Sequence, residues 1–555
     1  MRPPPATWLG PAFALLLLLP VAAESQAVLG PQDDALVLPR GVLRARVLNQ
    51  WVRFDERYGM NTPGRPDGAL EPIGIDFNLD TVGTNVFRNL TPLESGLRQL
   101  TGIPDFTLSL GRTVLTADVN ITVTPFVFEL GVTNRLSMGL VIPYVRTRST
   151  LAFNANPLGR EGNAGFNPAL TVQAARDANT AVVTSLHTAA GQLEAMLGGP
   201  AFCTANPGDP RCVLIANTRS FADGVAATYG TTSPLAPGSP FIPIAETDAQ
   251  LAIEARIRAF ESFYGAPSGS FGNPFASQAP LTVTDAQRIL TDPAFGINAE
   301  PLETVERSGI GDIELGAKYL LFDTMLRQGV DRLTSPDGLH FRGAVGALFR
   351  FGTGEPDSPD HFADVGTGQG QNDLELRGFA DIVYGRHLFT SLIGRYGWQF
   401  ADRLTMRIPE SPESALAAEW RRREVERDLG DFFELEANQR VVVNDYVSVT
   451  GHYMYRHKYG DRYTGTFEVP ADVTGYAPVT LDASILNQQT EAIEHRLGGG
   501  LSFSTVAAFA QGRVRLPIEV TYFHFQTTRG WGGQVPKLRS DQIQVRVYFR
   551  LFGGP

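Results

Sequence analysis

The chain has 555 residues, and its net charge of −11, with no Lys/Arg cluster interleaved by aromatics, argues against a nucleic-acid partner. A hydrophobic content of 43% is ordinary for a soluble protein, but it equally suits an outer-membrane barrel, whose polar interior dilutes the lipid-facing residues. After the N-terminus no run approaches about 18 apolar residues, which excludes a bundle of membrane-spanning helices.

Arg2 precedes an apolar run, Ala12–Leu19, containing five consecutive leucines. Small residues follow, with Val21-Ala22-Ala23 or Ser25-Gln26-Ala27 as the cleavage site. That layout predicts a secretory signal peptide over residues 1–23, or to 27. The lead-in 24–40 carries Pro31, Asp33, Asp34 and Pro39 and reads as a periplasmic lead-in or a plug. Cys203 and Cys212 are the only cysteines, and in an exported chain such a pair around a turn-rich loop reads as a disulfide.

Gly41–Phe54 sets Leu43, Ala45, Val47 and Trp51 opposite Arg44, Arg46 and Gln50, the period of two expected of a strand. A short helix is expected around Leu93–Leu100, with Thr91 as cap and Pro92 at the first helical position. Leu115, Ala117, Val119, Ile121 and Val123 then alternate with Thr116, Asp118, Asn120, Thr122 and Thr124. Past the Gly131–Arg135 turn, Leu136, Met138, Leu140, Ile142 and Tyr144 continue the pattern as a hairpin partner.

Residues 149–307 differ in kind. They are Ala-rich, with helix signals at Thr171–Leu197, Asp248–Tyr264 and Asp285–Leu290, and with Thr247 and Thr284 placed as N-caps. We read them as a helical insertion between strands three and four; the alternative is a separate soluble domain. Strand four is Ser308–Asp323, where Ile313, Leu315, Ala317, Tyr319 and Leu321 oppose Asp312, Glu314, Gly316 and Lys318.

Further strands are expected at Phe341–Phe351, Asp373–Tyr384, Leu388–Trp398, Phe432–Val443 and Val447–Tyr459. Glu491–Ser504, Ile518–Gln526 and Gln542–Phe552 complete about twelve, as membrane barrels have an even count. Long connections follow strands one, three, five, seven, nine and eleven, and short ones follow two, six and eight. Those after four and ten are intermediate. With both termini periplasmic, every long connection is external, which is the loop asymmetry of outer-membrane barrels. The fold predicted is an all-β transmembrane antiparallel up-and-down barrel over residues 41–552, with a large, partly helical extracellular insertion. An exported soluble β protein is the alternative.

In such a barrel apolar residues face lipid and charges face the lumen. The predicted lumen lining is Arg44, Arg46, Asp312, Glu314, Lys318, Arg342, Arg350, Asp373, Glu375, Arg377 and Asp381, continuing with Arg395, Glu434, Glu436, His452, Arg456, Glu494, Arg496, Glu519, Arg546 and Arg550. Trp51, Tyr144, Tyr396, Trp398, Tyr453, Tyr455 and Tyr522 recur near strand ends, where interfacial girdles lie. Phe552 follows Phe549, Val547, Val545 and Ile543, which resembles the C-terminal assembly signal of bacterial outer-membrane barrels, although Gly553-Gly554-Pro555 come after it.

The run G-I-G-D-I-E-L-G-A-K-Y-L-L-F in strand four, with Phe128–Tyr144, Phe351–Asp357 and Asp364–Asp373, resembles the outer-membrane transporter-like barrels associated with the meta-pathway of phenol degradation. The likeness spans Gly41–Phe552 apart from the 149–307 insertion. It implies a bacterial outer-membrane channel or transporter for small hydrophobic or aromatic molecules, among lipid, lipopolysaccharide and the barrel assembly machinery. It implies no catalytic residue and no cofactor.

Asp357, Asp360 and Asp364 carry the hard oxygens that Ca²⁺ takes, without the spacing of a known loop. Gly366, Gly368 and Gly370 neither follow a parallel strand nor open a helix, which argues against a phosphate loop. His452 with Ser448 and Glu434 or Glu436 is the one set resembling a hydrolase triad, and a barrel hydrolase is an alternative function. A surface-binding or structural barrel acting through 149–307 is another. Arg421-Arg422-Arg423 is expected on an external helix begun by Ser411 and Pro412.

Overall fold

The computed structural model describes residues 33–59, 66–159, 161–325, 338–385, 387–410, 417–474 and 477–552. The signal peptide and most of the lead-in lie outside them. Two compact units emerge. The first comprises residues 1–76, 115–152 and 290–555; the second comprises 77–114 and 153–289.

The first unit is a closed barrel of twelve antiparallel strands. They are β1 (Val42–Phe54), β2 (Thr113–Gly131), β3 (Leu136–Ala155), β4 (Ile313–Asp323), β5 (Leu339–Phe351) and β6 (Asp373–Tyr384). The remaining six are β7 (Leu388–Gln399), β8 (Phe432–Val442), β9 (Val447–Lys458), β10 (Thr490–Ser504), β11 (Ile518–Gly533) and β12 (Arg539–Arg550). Each pairs with its neighbours in sequence, and β1 pairs with β12 from Val42↔Arg550 to Arg53↔Arg539, closing the ring. Closure removes the unpaired edges that an open sheet would leave in hydrocarbon. A short strand, Val305–Ile310, also returns along β3.

Burial along the strands gives each face its surroundings. Leu315, Tyr319, Val345, Leu376, Leu392, Leu435, Val449, Leu501 and Val545 are exposed, whereas Glu314, Arg350, Glu375, Arg395, Glu434, Glu494 and Arg546 are buried. Charge inside and aliphatic side chains outside is the inverse of a water-soluble barrel, so the outer face belongs in hydrocarbon. Trp51, Tyr144, Trp398, Tyr453 and Tyr522 stand exposed on that face.

The pattern does not run the full length of β2. There Leu115, Val119, Ile121 and Val123 are buried, the last three packing with Val52, Phe54 and Leu538, while Thr116, Asp118, Asn120, Thr122 and Thr124 turn outward. Four residues on, Phe126 and Phe128 are exposed and Glu129 is buried. On β3 the outward residues change from Leu140 and Tyr144 to Arg146 and Arg148. Both strands rise out of the lipid, and once water lies outside, the hydrophobic effect sends apolar residues inward. The lipid-facing stretch of β3, about nine residues, spans roughly 21 Å at 3.3 Å per residue and 45° tilt, close to the ~25 Å band of such barrels. The uniform expectation of apolar side chains toward lipid is thus corrected for the upper half of β2.

Loop lengths need one further correction. β11 extends to Gly533, so the connection to β12 is only 534–538 rather than a long loop. The Arg421–Arg423 helix is also absent: Arg421 ends a 3-10 turn, and Arg422–Asp428 is a strand paired with Asp402–Arg407. Ser411 and Pro412 lie outside the described residues.

The second unit is helical: α1 (Thr91–Thr101), α2 (Gln173–Met196), α3 (Pro200–Ala205), α4 (Pro210–Tyr229) and α5 (Asp248–Phe263). It includes α1, from the connection after β1, as well as the connection after β3. Leu186, Phe221, Val225, Ile253 and Ile257 are buried in it. The disulfide joins α3 to α4 with Cα atoms 5.4 Å apart. α4 was not anticipated, although Asp209, which caps it by accepting the Arg211 N–H, and Pro210 at its first position are a legible start signal. A further helix, Val283–Thr291, is capped by Thr282 and not Thr284: Thr282 and Asp285 exchange side chain-to-backbone hydrogen bonds of 3.2 and 2.8 Å. α1 starts one residue early, leaving Thr91 within the helix rather than as its cap.

Two substitutions test the membrane boundary. Ala317→Arg on the lipid face of β4 should cost about 2–4 kcal/mol of folding into vesicles if it lies near the midplane. Thr122→Arg, outward on the raised part of β2, should cost almost nothing. Urea titration of the barrel refolded in vesicles measures both.

Candidate functional site

The barrel interior is built on paired charges. Arg350 reaches Glu314 at 3.0 Å and Asp373 at 2.6 Å; Arg377 binds Glu375 at 2.5 Å; Arg395 binds Glu436 at 2.6 Å and also Glu434. Glu375 links these groups from β4 to β8 through longer contacts of 3.8 Å to Arg350 and to Arg395. Arg44 joins Glu129 on β2, Arg342 joins Asp381 at 3.2 Å, Arg496 joins Glu494 at 2.5 Å, and Arg546 joins Glu519 at 3.0 Å. Of the expected set, Asp312, Lys318, Arg46 and His452 are also buried; Arg456 is half-buried, and Arg550, at the end of β12, is exposed. Glu129, on the inward face of β2, was missed because it lies beyond the stretch where the polar residues of β2 alternate.

The described end of the lead-in threads this interior. Asp33, Ala35, Val37 and Leu38 are buried. Lys318 holds Asp33 at 2.5 Å, the Ala35 N–H donates to Asp381 at 3.1 Å, and the Leu38 N–H donates to Ser137 Oγ at 2.9 Å. Leu36 and Leu38 border a small void of about 50 Å³ where the inward wall is Gly139, Gly316 and Gly346.

Beside these charges lies a cavity of about 160 Å³. Val52, Ile121, Val123, Leu429 and Leu538 form an apolar wall, and Gln50, Asp357, Arg427, Lys458, Asp461 and Glu494 a polar one. Its roof is the 352–372 connection. Asp312, 0% exposed, accepts the Gly354 N–H at 2.8 Å and the Gln369 N–H at 2.9 Å, which clamps both arms of that loop to the start of β4. A side chain at Gly368 would put its Cβ 2.7 Å from Asp312, so the close approach requires glycine there. Three of the four motifs that carried the family resemblance therefore meet at one point: the Gly-Asp of strand four and the two glycine-rich runs of the loop. Asp360 continues the clamp outward through Arg407 at 2.8 Å and Arg422 at 2.6 Å.

The three loop aspartates do not converge on a metal. Asp360 serves those arginines, Asp364 pairs with Arg307 at 3.0 Å, and Asp357 accepts the Gly366 N–H at 2.5 Å. Among the described residues no cluster has metal-ligand geometry. The triad does not assemble either. His452 Nδ1 lies 2.7 Å from Asn438 Oδ1, and Ser448, four residues along the same strand, is about 13 Å away at 3.3 Å per residue. Cavity residues such as Arg427, Asp461, Gln489 and Gln534 lie in or beside loops, where no periodicity marks them.

Asp357 is electrostatically unusual. Burial, reinforced by Asp364 and opposed by the Gly366 N–H, Arg307 and Arg427, pushes its carboxyl up to about 8.

The sequence matches no protein-family model and no curated protein. Among solved structures it is similar to an outer membrane channel from Pseudomonas putida F1, at 9% identity and a TM-score of 0.39, covering 94% of this chain and 99% of that one. It is also similar to the Ralstonia pickettii toluene transporter TbuX (9%, 0.28, 94% and 94%) and the P. putida toluene transporter TodX (10%, 0.24, 93% and 92%).

Removing one partner of a buried ion pair strands the other charge. Arg395→Met, which leaves Glu434 and Glu436 facing each other, should therefore cost about 3–5 kcal/mol in vesicle refolding. For Asp357 the native state holds its proton to higher pH than the unfolded chain, so the group subtracts stability as pH rises from about 4 to about 8. Over that window the melting temperature of Asp357→Asn should rise relative to the native protein.

Proposed function

We propose that this chain is a bacterial outer-membrane channel or transporter that passes small hydrophobic or aromatic molecules. The observation that carries this reading is the half-apolar cavity held inside an otherwise charge-filled barrel whose outer face is built for lipid. A purely structural barrel gains nothing from a recess that turns Val52, Ile121, Val123 and Leu538 toward a space of about 160 Å³. The inward charges, the predicted lumen lining, are paired among themselves and so set a polar boundary that favours uncharged solutes. The buried Asp33–Leu38 segment acts as a plug that must shift for passage.

On this reading residues 1–23 direct export, 41–552 form the barrel, and 149–307 are a helical extracellular insertion. Lipid, lipopolysaccharide and the assembly machinery are its surroundings. The association with aromatic degradation by the phenol meta-pathway is the finer form of the proposal and rests on the sequence motifs. No catalytic step is assigned.

Uptake of radiolabelled toluene into liposomes carrying the purified protein tests the proposal. Uptake should exceed that of empty liposomes and should rise when Lys318→Met frees the Asp33 anchor. Equal uptake by empty and loaded liposomes, with and without that substitution, would overturn it.

A further inference from the structure

The cavity's polar wall narrows what it can hold. Arg427 is engaged by Asp402 at 2.6 Å and by the Gln369 carbonyl at 2.9 Å. Lys458 is held by Asp461 at 2.5 Å and by the Thr490 carbonyl; Glu494 is held by Arg496 and by Thr527 at 2.6 Å; Glu491 contacts His457 at 2.7 Å. A charged ligand would have to break one of these pairs, and separating a desolvated pair is expensive. Asp357 is different. Its Oδ1 accepts the Gly366 N–H, and its Oδ2 is buried with no hydrogen-bond partner. The charged groups acting on it are Asp364 on its own loop, Arg307 beside β3, and Arg427 across the cavity. They do not supply an ion-pair partner at contact distance.

We infer that the cavity binds an uncharged molecule of about single-ring size bearing one oxygen acceptor, and that Asp357 is the specificity-determining residue, donating its carboxyl proton to that oxygen. This deepens the channel reading and rests on it. Three observations support it. The volume of about 160 Å³ matches the roughly 150 Å³ apolar cavity known to take benzene. The wall formed by Val52, Ile121, Val123 and Leu538 supplies the apolar contacts. Asp357 Oδ2 has no hydrogen-bond partner, its carboxyl still carries a proton near neutral pH, and an otherwise unsatisfied buried polar group rewards the ligand that completes it.

Toluene, acetophenone and benzoate separate the requirements, since they share a ring and differ in oxygen and charge. Their binding to the full chain in nanodiscs, against empty nanodiscs, is measured by equilibrium dialysis. Acetophenone should bind about tenfold more tightly than expected from toluene after correction for partitioning, the worth of one net hydrogen bond, and benzoate should not bind. Asp357→Leu should remove the acetophenone advantage over toluene. Acetophenone affinity should fall as pH rises through about 8, where the donor is lost. Asp357→Asn, whose amide both keeps the Gly366 contact and donates, should make that profile flat and serves if the leucine variant fails to fold. Benzoate binding as tightly as acetophenone, an unchanged preference in Asp357→Leu, or a native profile flat across pH 8 would each overturn the inference. Intact binding with no liposome uptake would instead overturn the passage reading alone.

Discussion

The structure depends on the pairing of charges that the strands turn inward. A barrel in lipid must keep its outer face apolar, which leaves every second residue to fill the inside. Here those positions are largely Arg, Glu and Asp. Isolated, each would carry a large desolvation cost; linked as Glu314–Arg350–Asp373 and Arg395–Glu434/Glu436, they neutralise one another across successive strands. The Asp33–Leu38 segment joins the same network, because Asp33 completes Lys318 and the Ala35 N–H completes Asp381. What fills the interior is therefore a solid electrostatic core, and any route for a solute must rearrange part of it.

Asp312 translates that core into a site. It ends the charged face of β4 and, fully buried, spends both its oxygens on backbone N–H groups of the 352–372 loop. The loop is thereby folded over the raised, inside-apolar section of the wall formed by β1 and β2, and the cavity is the space left between them. A change of solvent outside the wall, from lipid to water, is what lets the same barrel be charged within at one level and apolar within at another.

Much of this was legible in the sequence. Period-two alternation located all twelve strands, because in a closed barrel every strand repeats the same two-faced demand, and helical signals were read where caps and Ala-rich runs coincide. The misses have separate causes. Val119, Ile121 and Val123 alternate like any lipid-facing set, and alternation states that two faces differ without stating which is inside. α4 lay in a turn-rich context around the cysteines, where its Asp-Pro start was overlooked. The Arg421–Arg423 turn and strand owe their form to pairing with Asp402–Arg407, a contact that local propensity does not encode.

The alternation at Ser308–Asp323, the charge balance of the inward faces and the glycine-rich runs were determined by sequence alone, since each depends on nearest neighbours along a strand. Only the tertiary structure decided which acid meets which base, that Asp312 holds the loop, and that Asp357 stands in a cavity wall with an unpartnered oxygen. Those outcomes depend on groups tens to hundreds of residues apart brought within about 3 Å, the range over which a hydrogen bond acts.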